Sequence, residues 1–326
     1  MTVPVIRAFI EQNPSVKITF LSKAFLKPLF ADIPNVIFYA ADVNNKHKGI
    51  FGLYKLYKEL KQFHFSDIAD LHNVLRSKIL RSFFKFSINN IAFIDKGRIE
   101  KKALTRTKNK IFKQLKTSHQ RYADVFKQLG FKINIENPIP LEKHELLKKT
   151  KILTGDKSLK WVGIAPFAAF DAKKYPLDLM QEVISELSKN HQIFLFGGGA
   201  SEIETLSKVE KENSNCISVA GKLNLAEELN LITHLDCMLA MDSGNAHFSA
   251  MQQIPTVTLW GGTHPFAGFA PFNQPNDYSI LPDLIKYPNL PCSIYGNKIC
   301  EGYRDVMRTI SPETVIKKIE QILNKN

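Results

Sequence analysis

A chain of 326 residues, 44% hydrophobic and 23% charged, has the proportions of a globular protein with two domains of roughly 150 residues each. No run reaches the roughly 18–20 apolar residues of a membrane-crossing helix, and the start, MTVPVIRAFIEQNP, lacks the basic, apolar and cleavage regions of a secretory signal. The net charge of +13 is lopsided: residues 1–150 hold 28 Lys and Arg against 12 Asp and Glu, a balance of +16, while the rest hold 16 against 19, a balance of −3. 

A basic half of this kind attracts nucleic acid, anionic lipid or a phosphorylated substrate, although a lysine-rich, merely solvated surface accounts for it too. Along the chain, TVPVIRAFIEQNP reads as a helix with no strand before it. Short apolar runs then predict strands at VKITFLS (16–22), VIFYAAD (36–42), DIADLH (67–72) and NIAFID (90–95). Helical patterns, GIFGLYKLYKELKQF and NVLRSKILRSFFKF, lie between them. Alternating β and α elements with nearly continuous apolar strands imply a parallel sheet covered on both faces. A polar stretch containing Pro138, Pro140 and Gly155 marks the junction, giving domains over 1–150 and 158–310.

The second half repeats the scheme with WVGIAPF, QIFLFGGG, CISVAG, CMLAMD and TVTLWGG. In SPETVIKKIEQILNK, Ser311 is the expected N-cap and Pro312 the first helical residue of a terminal helix over 311–326; Thr314 at the third position leaves the capping box incomplete. Doubly wound domains open with a strand. The first domain therefore either begins unusually or lacks its first strand and the loop after it.

Ligands of open α/β sheets sit beyond the carboxyl ends of the strands, and four polar loops stand there in the second half. They carry Lys173 and Lys174, then Glu202, then Asp242-Ser243-Gly244-Asn245 with His247, then Thr263-His264-Pro265. Asp242 or Ser243 is placed to cap the following helix, whose free N–H groups make an anion site. DSG is also a common turn, Glu202 also reads as an exposed helix-start residue, and His247 as a polar core histidine. The run GGGASE does not supply G-x-G-x-x-G, which argues against a dinucleotide oxidoreductase, and no Walker, H-E-x-x-H or D-x-D motif appears. The four cysteines, 216, 237, 292 and 300, are expected to be reduced. Cys292 and Cys300, spaced C-x7-C beside Pro291 and Gly296, read as buried free thiols in preference to half a zinc site.

The second half resembles glycosyltransferase family 9, the ADP-heptose:lipopolysaccharide heptosyltransferases. APFAAFDAKKYP matches the family's K-x-[WY]-P segment, FGGGASEIE its glycine-ended strand with an acidic residue, AMDSGNAH its D-[ST]-G-x-x-H, and LWGGTHP its closing loop. DLHNVLRSKIL resembles the acceptor-side segment, with Asp70, His72 and Arg76. The resemblance implies a GT-B fold, two Rossmann-like parallel-sheet domains facing a cleft, and inverting, metal-independent transfer of a heptose from an ADP-sugar to a lipopolysaccharide core. It implies no cofactor, a lipid-linked anionic acceptor, no nucleic-acid partner, and a cytoplasmic, peripheral place at the inner-membrane face of a Gram-negative bacterium.

In that reading Lys173 neutralises the leaving diphosphate, and Ser243, Gly244 and Asn245 share its charge. Asp242 and His247 shape the loop, Glu202 holds the ribose and Thr263 lines the pocket. The family's Gly-Asp pair, which supplies the general base, would precede Met1, so its absence is expected to slow the chain or leave a nucleotide-sugar-binding protein. It would also leave the first sheet without a central strand. Asp42 and Asp70, at strand ends, are the substitutes to weigh. Arg76, Lys78, Arg81 and Lys85, interleaved with Leu75, Ile79, Leu80, Phe83 and Phe84, suit a membrane surface, and core packing explains the aromatics equally well.

Overall fold

A computed structural model of the chain describes every residue except Asn89, Ile139 and Asn326. The chain divides into two units, Met1–Arg98 with Lys116–Ile139, and Ile99–Leu115 with Pro140–Asn326. The division near residue 150 read from sequence differs from this grouping. Ile99–Leu115 goes with the second unit because Leu104 and Leu115 are buried with Ala267. The Lys110 ammonium also donates to the carbonyls of Asn289 and Leu290, at 2.7 and 2.6 Å. Such long-range partners leave no local mark in sequence.

The first unit holds α1 (Thr2–Gln12), β1 (Ile18–Ser22), β2 (Val36–Ala40), α2 (Gly49–Lys61), β3 (Asp67–Asp70), α3 (Leu75–Phe84) and β4 (Asn90–Phe93). After the excursion that contains α4 (Arg98–Thr105) comes α5 (Ser118–Gln128). Its strands form two parallel pairs, β1–β2 and β3–β4, and among the described residues no strand joins them. Most of their residues are partly exposed, unusual for parallel strands, which are normally covered on both faces. Both pairs nonetheless share one core, in which Leu53, Leu56 and Leu60 of α2 and Phe84 of α3 meet Leu21, Tyr39 and Ile68.

The second unit comprises α6 (Lys148–Thr154), β5 (Trp161–Ala165), α7 (Leu177–Leu187), β6 (Gln192–Leu195), α8 (Ala200–Glu212), β7 (Cys216–Ser218) and α9 (Leu225–Ile232). It continues through β8 (Cys237–Met241), α10 (Gly244–Met251), β9 (Thr256–Leu259), β10 (Ser279–Ile280) and α11 (Pro312–Leu323). All six strands are parallel, in the order β10-β9-β8-β5-β6-β7. The two-residue period sorts side chains cleanly. Val162, Ile164, Leu239 and Val257 face a core built with Met180, Val183 and Ile184 of α7 and Val315 and Ile319 of α11. Trp161, Phe194, Met238 and Ala240 face the other, with Leu231 and Ile232 of α9 and Ala246 of α10. Each fully buried aliphatic side chain here contributes about 1.5–3 kcal/mol. The terminal helix is thus part of this unit, and Ser311 caps it as expected, its hydroxyl accepting the Thr314 N–H at 3.3 Å.

Burial of the Glu228 carboxyl on α9 pushes its pKa up to about 7. An unfolded glutamate ionises at about 4.3, so between that pH and 7 the unfolded chain gives up a proton that the folded chain keeps, and stability falls as pH rises. Glu228 keeps some contact with water, which reduces the effect. Glu228→Gln is expected to stabilise the protein at pH 8 by on the order of 1 kcal/mol and to be neutral at pH 4. Urea midpoints at the two pH values measure this; equal effects at both would sink it.

Candidate active site

The chain runs outward from β5 to β6 and β7, then returns to β8 on the other side of β5. This reversal is the point at which open α/β sheets bind ligands. The four polar loops follow β9, β8, β5 and β6, four consecutive strands of the sheet, so the fold gathers at one end what the sequence scatters over ninety residues.

Lys173 closes a short 3-10 turn, Asp171–Lys173, after β5. Its ammonium lies 2.9 Å from Asp242 Oδ2 at the end of β8, and the Thr263 hydroxyl after β9 donates to the same oxygen at 2.9 Å. Asp242 and Thr263 are buried, and Lys173 is largely so. The loops meet because Gly261 and Gly262 carry no side chain: the Gly262 N–H reaches the Ala172 carbonyl at 2.6 Å, where a Cβ at 261 would collide. Tyr175 anchors the same loop, its buried hydroxyl donating to the Ile310 carbonyl at 2.7 Å.

Ser243 is the N-cap of α10, but neither its side chain nor that of Asp242 caps the helix, contrary to the expectation from sequence. The Asp242 carboxylate is turned instead to Lys173 and Thr263. The Ser243 hydroxyl is buried with no protein partner. Gly244 has an ordinary negative φ and open space where a Cβ would be. The fold itself does not need glycine there. Asn245 and His247 follow on the helix, half-buried. The opening N–H groups of α10 have no acceptor within the helix, and together with Lys173 they make a site for an anion. Glu202, in the first turn of α8, reaches back to accept the Gly198 N–H at 2.8 Å, which holds its carboxylate at the end of β6.

Sequence reasoning missed a further part of this site. Cys292 and Cys300 are joined in a disulfide, correcting the expectation of free thiols, whereas Cys216 and Cys237 are free and buried. The C-x7-C spacing beside Pro291 and Gly296 was the available signal; a tight loop brings the two ends together. A pocket of about 270 Å³ beside Asp236, Gln252 and Pro255 lies at the opposite, amino-terminal ends of β8 and β9. Asp236 is engaged there by Lys157 and the Trp161 N–H, so the loops at the carboxyl ends are the better candidate. Among the described residues no group of three His, Cys, Asp or Glu side chains stands together as a metal site.

In the first unit, Asp70 ends β3 with its carboxylate fully used: Oδ1 accepts the His72 and Asn73 N–H groups at 3.0 and 2.7 Å, and Oδ2 the Arg81 guanidinium at 2.8 Å. Asp42 accepts the Asn45 and Lys46 N–H groups, and these bonds hold its pKa below the usual carboxylate value. Stabilised as an anion, Asp42 is poorly placed to take a proton, and the Asp70 carboxylate is already occupied by three donors. Burial, then the charges of Lys96 and Arg76, lower the pKa of His72. Burial, then Arg98, lower that of Lys96. Lys96 and Arg76 therefore stand near a His72 that favours its neutral form, with the Asp70 carboxylate also close by. On α3, Phe83 and Phe84 pack into the core and Arg81 is tied to Asp70, leaving Leu75, Arg76, Lys78 and Lys85 exposed. Core packing thus accounts for the aromatics. No helix among the described residues is long and apolar enough to cross a membrane.

Lipooligosaccharide heptosyltransferase 2 of Campylobacter jejuni is 27% identical over 234 residues, covering 67% of this chain and 70% of that protein. Alignments to several other curated heptosyltransferases span about half of those proteins' length. Among solved structures, the family 9 glycosyl transferase of Veillonella parvula superimposes with a TM-score of 0.75 at 20% identity, covering 100% of this chain and 93% of the other. E. coli ADP-heptose lps heptosyltransferase II does so with a TM-score of 0.65 at 18% identity, covering 99% and 94%. At such identities these likenesses show the fold, GT-B-like. The family glycosyltransferase family 9 (heptosyltransferase) matches residues 53–290, well over half of the chain. A glycosyltransferase by that match, the chain belongs to glycosyltransferase family 9, the heptosyltransferase family.

Proposed function

We propose that this enzyme transfers a heptose from an ADP-sugar to a lipopolysaccharide core acceptor, inverting the anomeric centre and using no metal. The observation that carries the reading is the anion site at the β5–β8 switch point: the Lys173 ammonium on Asp242, the open N–H end of α10 and the unpartnered Ser243 hydroxyl. An acceptor hydroxyl attacks the anomeric carbon as the bond to the diphosphate oxygen breaks. Negative charge grows on the departing ADP, where Lys173 and the α10 N–H groups meet it; such preorganised donors stabilise a transition state by about 3 kcal/mol each. Glu202, fixed by Gly198, would accept ribose hydroxyls.

The acceptor is proposed to be lipid-linked and anionic, held by the cations Arg76 and Lys96 beside His72. The enzyme would then work peripherally at the cytoplasmic face of the inner membrane. Support for the donor comes from the relatives' names, which include an ADP-heptose transferase.

Calorimetric titration with ADP, UDP and GDP tests the donor assignment. ADP is expected to bind selectively, and Glu202→Ala to weaken it roughly tenfold, as loss of a hydrogen bond to a charged group implies. Equal binding of the three nucleotides, or preference for UDP or GDP, overturns the ADP assignment.

A further inference from the structure

We propose that the disulfide-closed loop from Cys292 to Cys300 is a positioning device for Lys173, with Gly296 as its contact residue; this rests on the proposed role of Lys173 at the diphosphate. A lysine ammonium rides on a flexible four-carbon stem, and the structure restrains that stem from one side. Gly296 lies so close to it that a Cβ added there would overlap Lys173 Cγ and Cδ, and its φ of +79° already requires glycine. On the other side Asp242 takes the ammonium.

The loop is itself held at several points. The Cys292 N–H donates to the Gly262 carbonyl at 2.9 Å, and Gly262 donates to Ala172, next to Lys173. Loop, glycine pair and lysine turn are thereby stacked through the backbone. Inside the loop the Ser293 hydroxyl accepts the Gly296 N–H at 3.0 Å and donates to the Lys298 carbonyl at 3.0 Å, fixing the turn that presents Gly296. Ile294 packs with Leu104, Leu115 and Ala267, and the Tyr295 ring lies 5.7 Å from that of Phe269. The Cys292–Cys300 bond closes the two ends. Opening the bridge leaves Ile294, Tyr295 and the Ser293 hydrogen bonds as anchors but releases the closed ends, so the expected consequence is a looser Gly296 and a wandering Lys173 in a folded protein.

The test is a double-mutant comparison. The bridge is opened in two ways: by Cys292→Ser with Cys300→Ser, and by dithiothreitol, whose two thiols give two electrons and two protons to the disulfide, yielding two cysteine thiols and a cyclic disulfide. In the Lys173 protein, opening is expected to lower kcat about tenfold with donor KM changed less than about threefold, and to weaken ADP binding similarly. In Lys173→Ala protein, opening is expected to change neither, because effects that act through one residue do not add. The same loss in both backgrounds, or no loss in either, overturns the proposal. Gly296→Ala and Ser293→Ala should behave as the opened bridge does, with thermal melting confirming the fold of each; should either fail to fold, reduced wild-type protein carries the comparison. If wild-type protein turns over no ADP-heptose, the proposed function fails, and ADP titration of the oxidised and reduced forms still decides whether the loop acts through Lys173.

Discussion

Replacing Lys173 with alanine is expected to lower kcat for heptosyl transfer by about 10²- to 10³-fold, the usual consequence of removing one preorganised donor from a developing oxyanion. Lys173 brings a full positive charge to the start of α10, where the helix itself offers only a partial one, roughly half an elementary charge. Water that fills the space left by the ammonium must reorganise as the diphosphate gathers charge, whereas the lysine is already in place. Lys173→Arg is expected to recover less than about a tenth of the activity. The planar guanidinium is no substitute for a point charge. Steady-state kinetics with ADP-heptose measure both; a kcat for Lys173→Ala within threefold of wild type would mean that the diphosphate is held elsewhere.

What made this site legible from sequence was its order along the chain. An apolar strand that breaks into Asp242-Ser243-Gly244 and resumes as a short helix can be read without coordinates. The same holds for the lysine-tyrosine-proline turn after β5. Pairings across the sheet were not legible. Nothing near Asp242 announces that its carboxylate serves Lys173 and Thr263 and leaves α10 without a side-chain cap. Nothing near Leu104 announces burial beside Ala267, and the Cys292–Cys300 bridge showed only as a spacing. The strand pattern of the first unit was legible because short β-branched and aromatic runs declare themselves locally; among the described residues these strands form two separate parallel pairs. The segment Ile99–Leu115 was not, since its hydrophobic partners lie more than 150 residues away.

The second large effect is expected at Asp242, and two substitutions there separate its structural role from its electrostatic one. Asp242→Ala strips the Lys173 ammonium and the Thr263 hydroxyl of their common acceptor in a nearly dry place. Breaking a buried pair by removing one partner destabilises by about 3–5 kcal/mol; because Lys173 retains a little exposure, roughly 2–4 kcal/mol is expected here. Asp242→Asn keeps an oxygen for both donors and should restore most of that stability, measured by urea denaturation. It will not restore turnover. In the wild-type protein the carboxylate holds Lys173 by charge, and the diphosphate must share the ammonium with it. With asparagine, that competition disappears, so ADP is expected to bind at least as tightly as to wild type while kcat falls about tenfold or more, because the ammonium is no longer held for the transition state. Tight ADP binding with slow transfer would be the signature of a residue that orients its neighbour. An Asp242→Asn enzyme with wild-type kcat would show instead that Gly296 and the loop behind it hold Lys173 unaided.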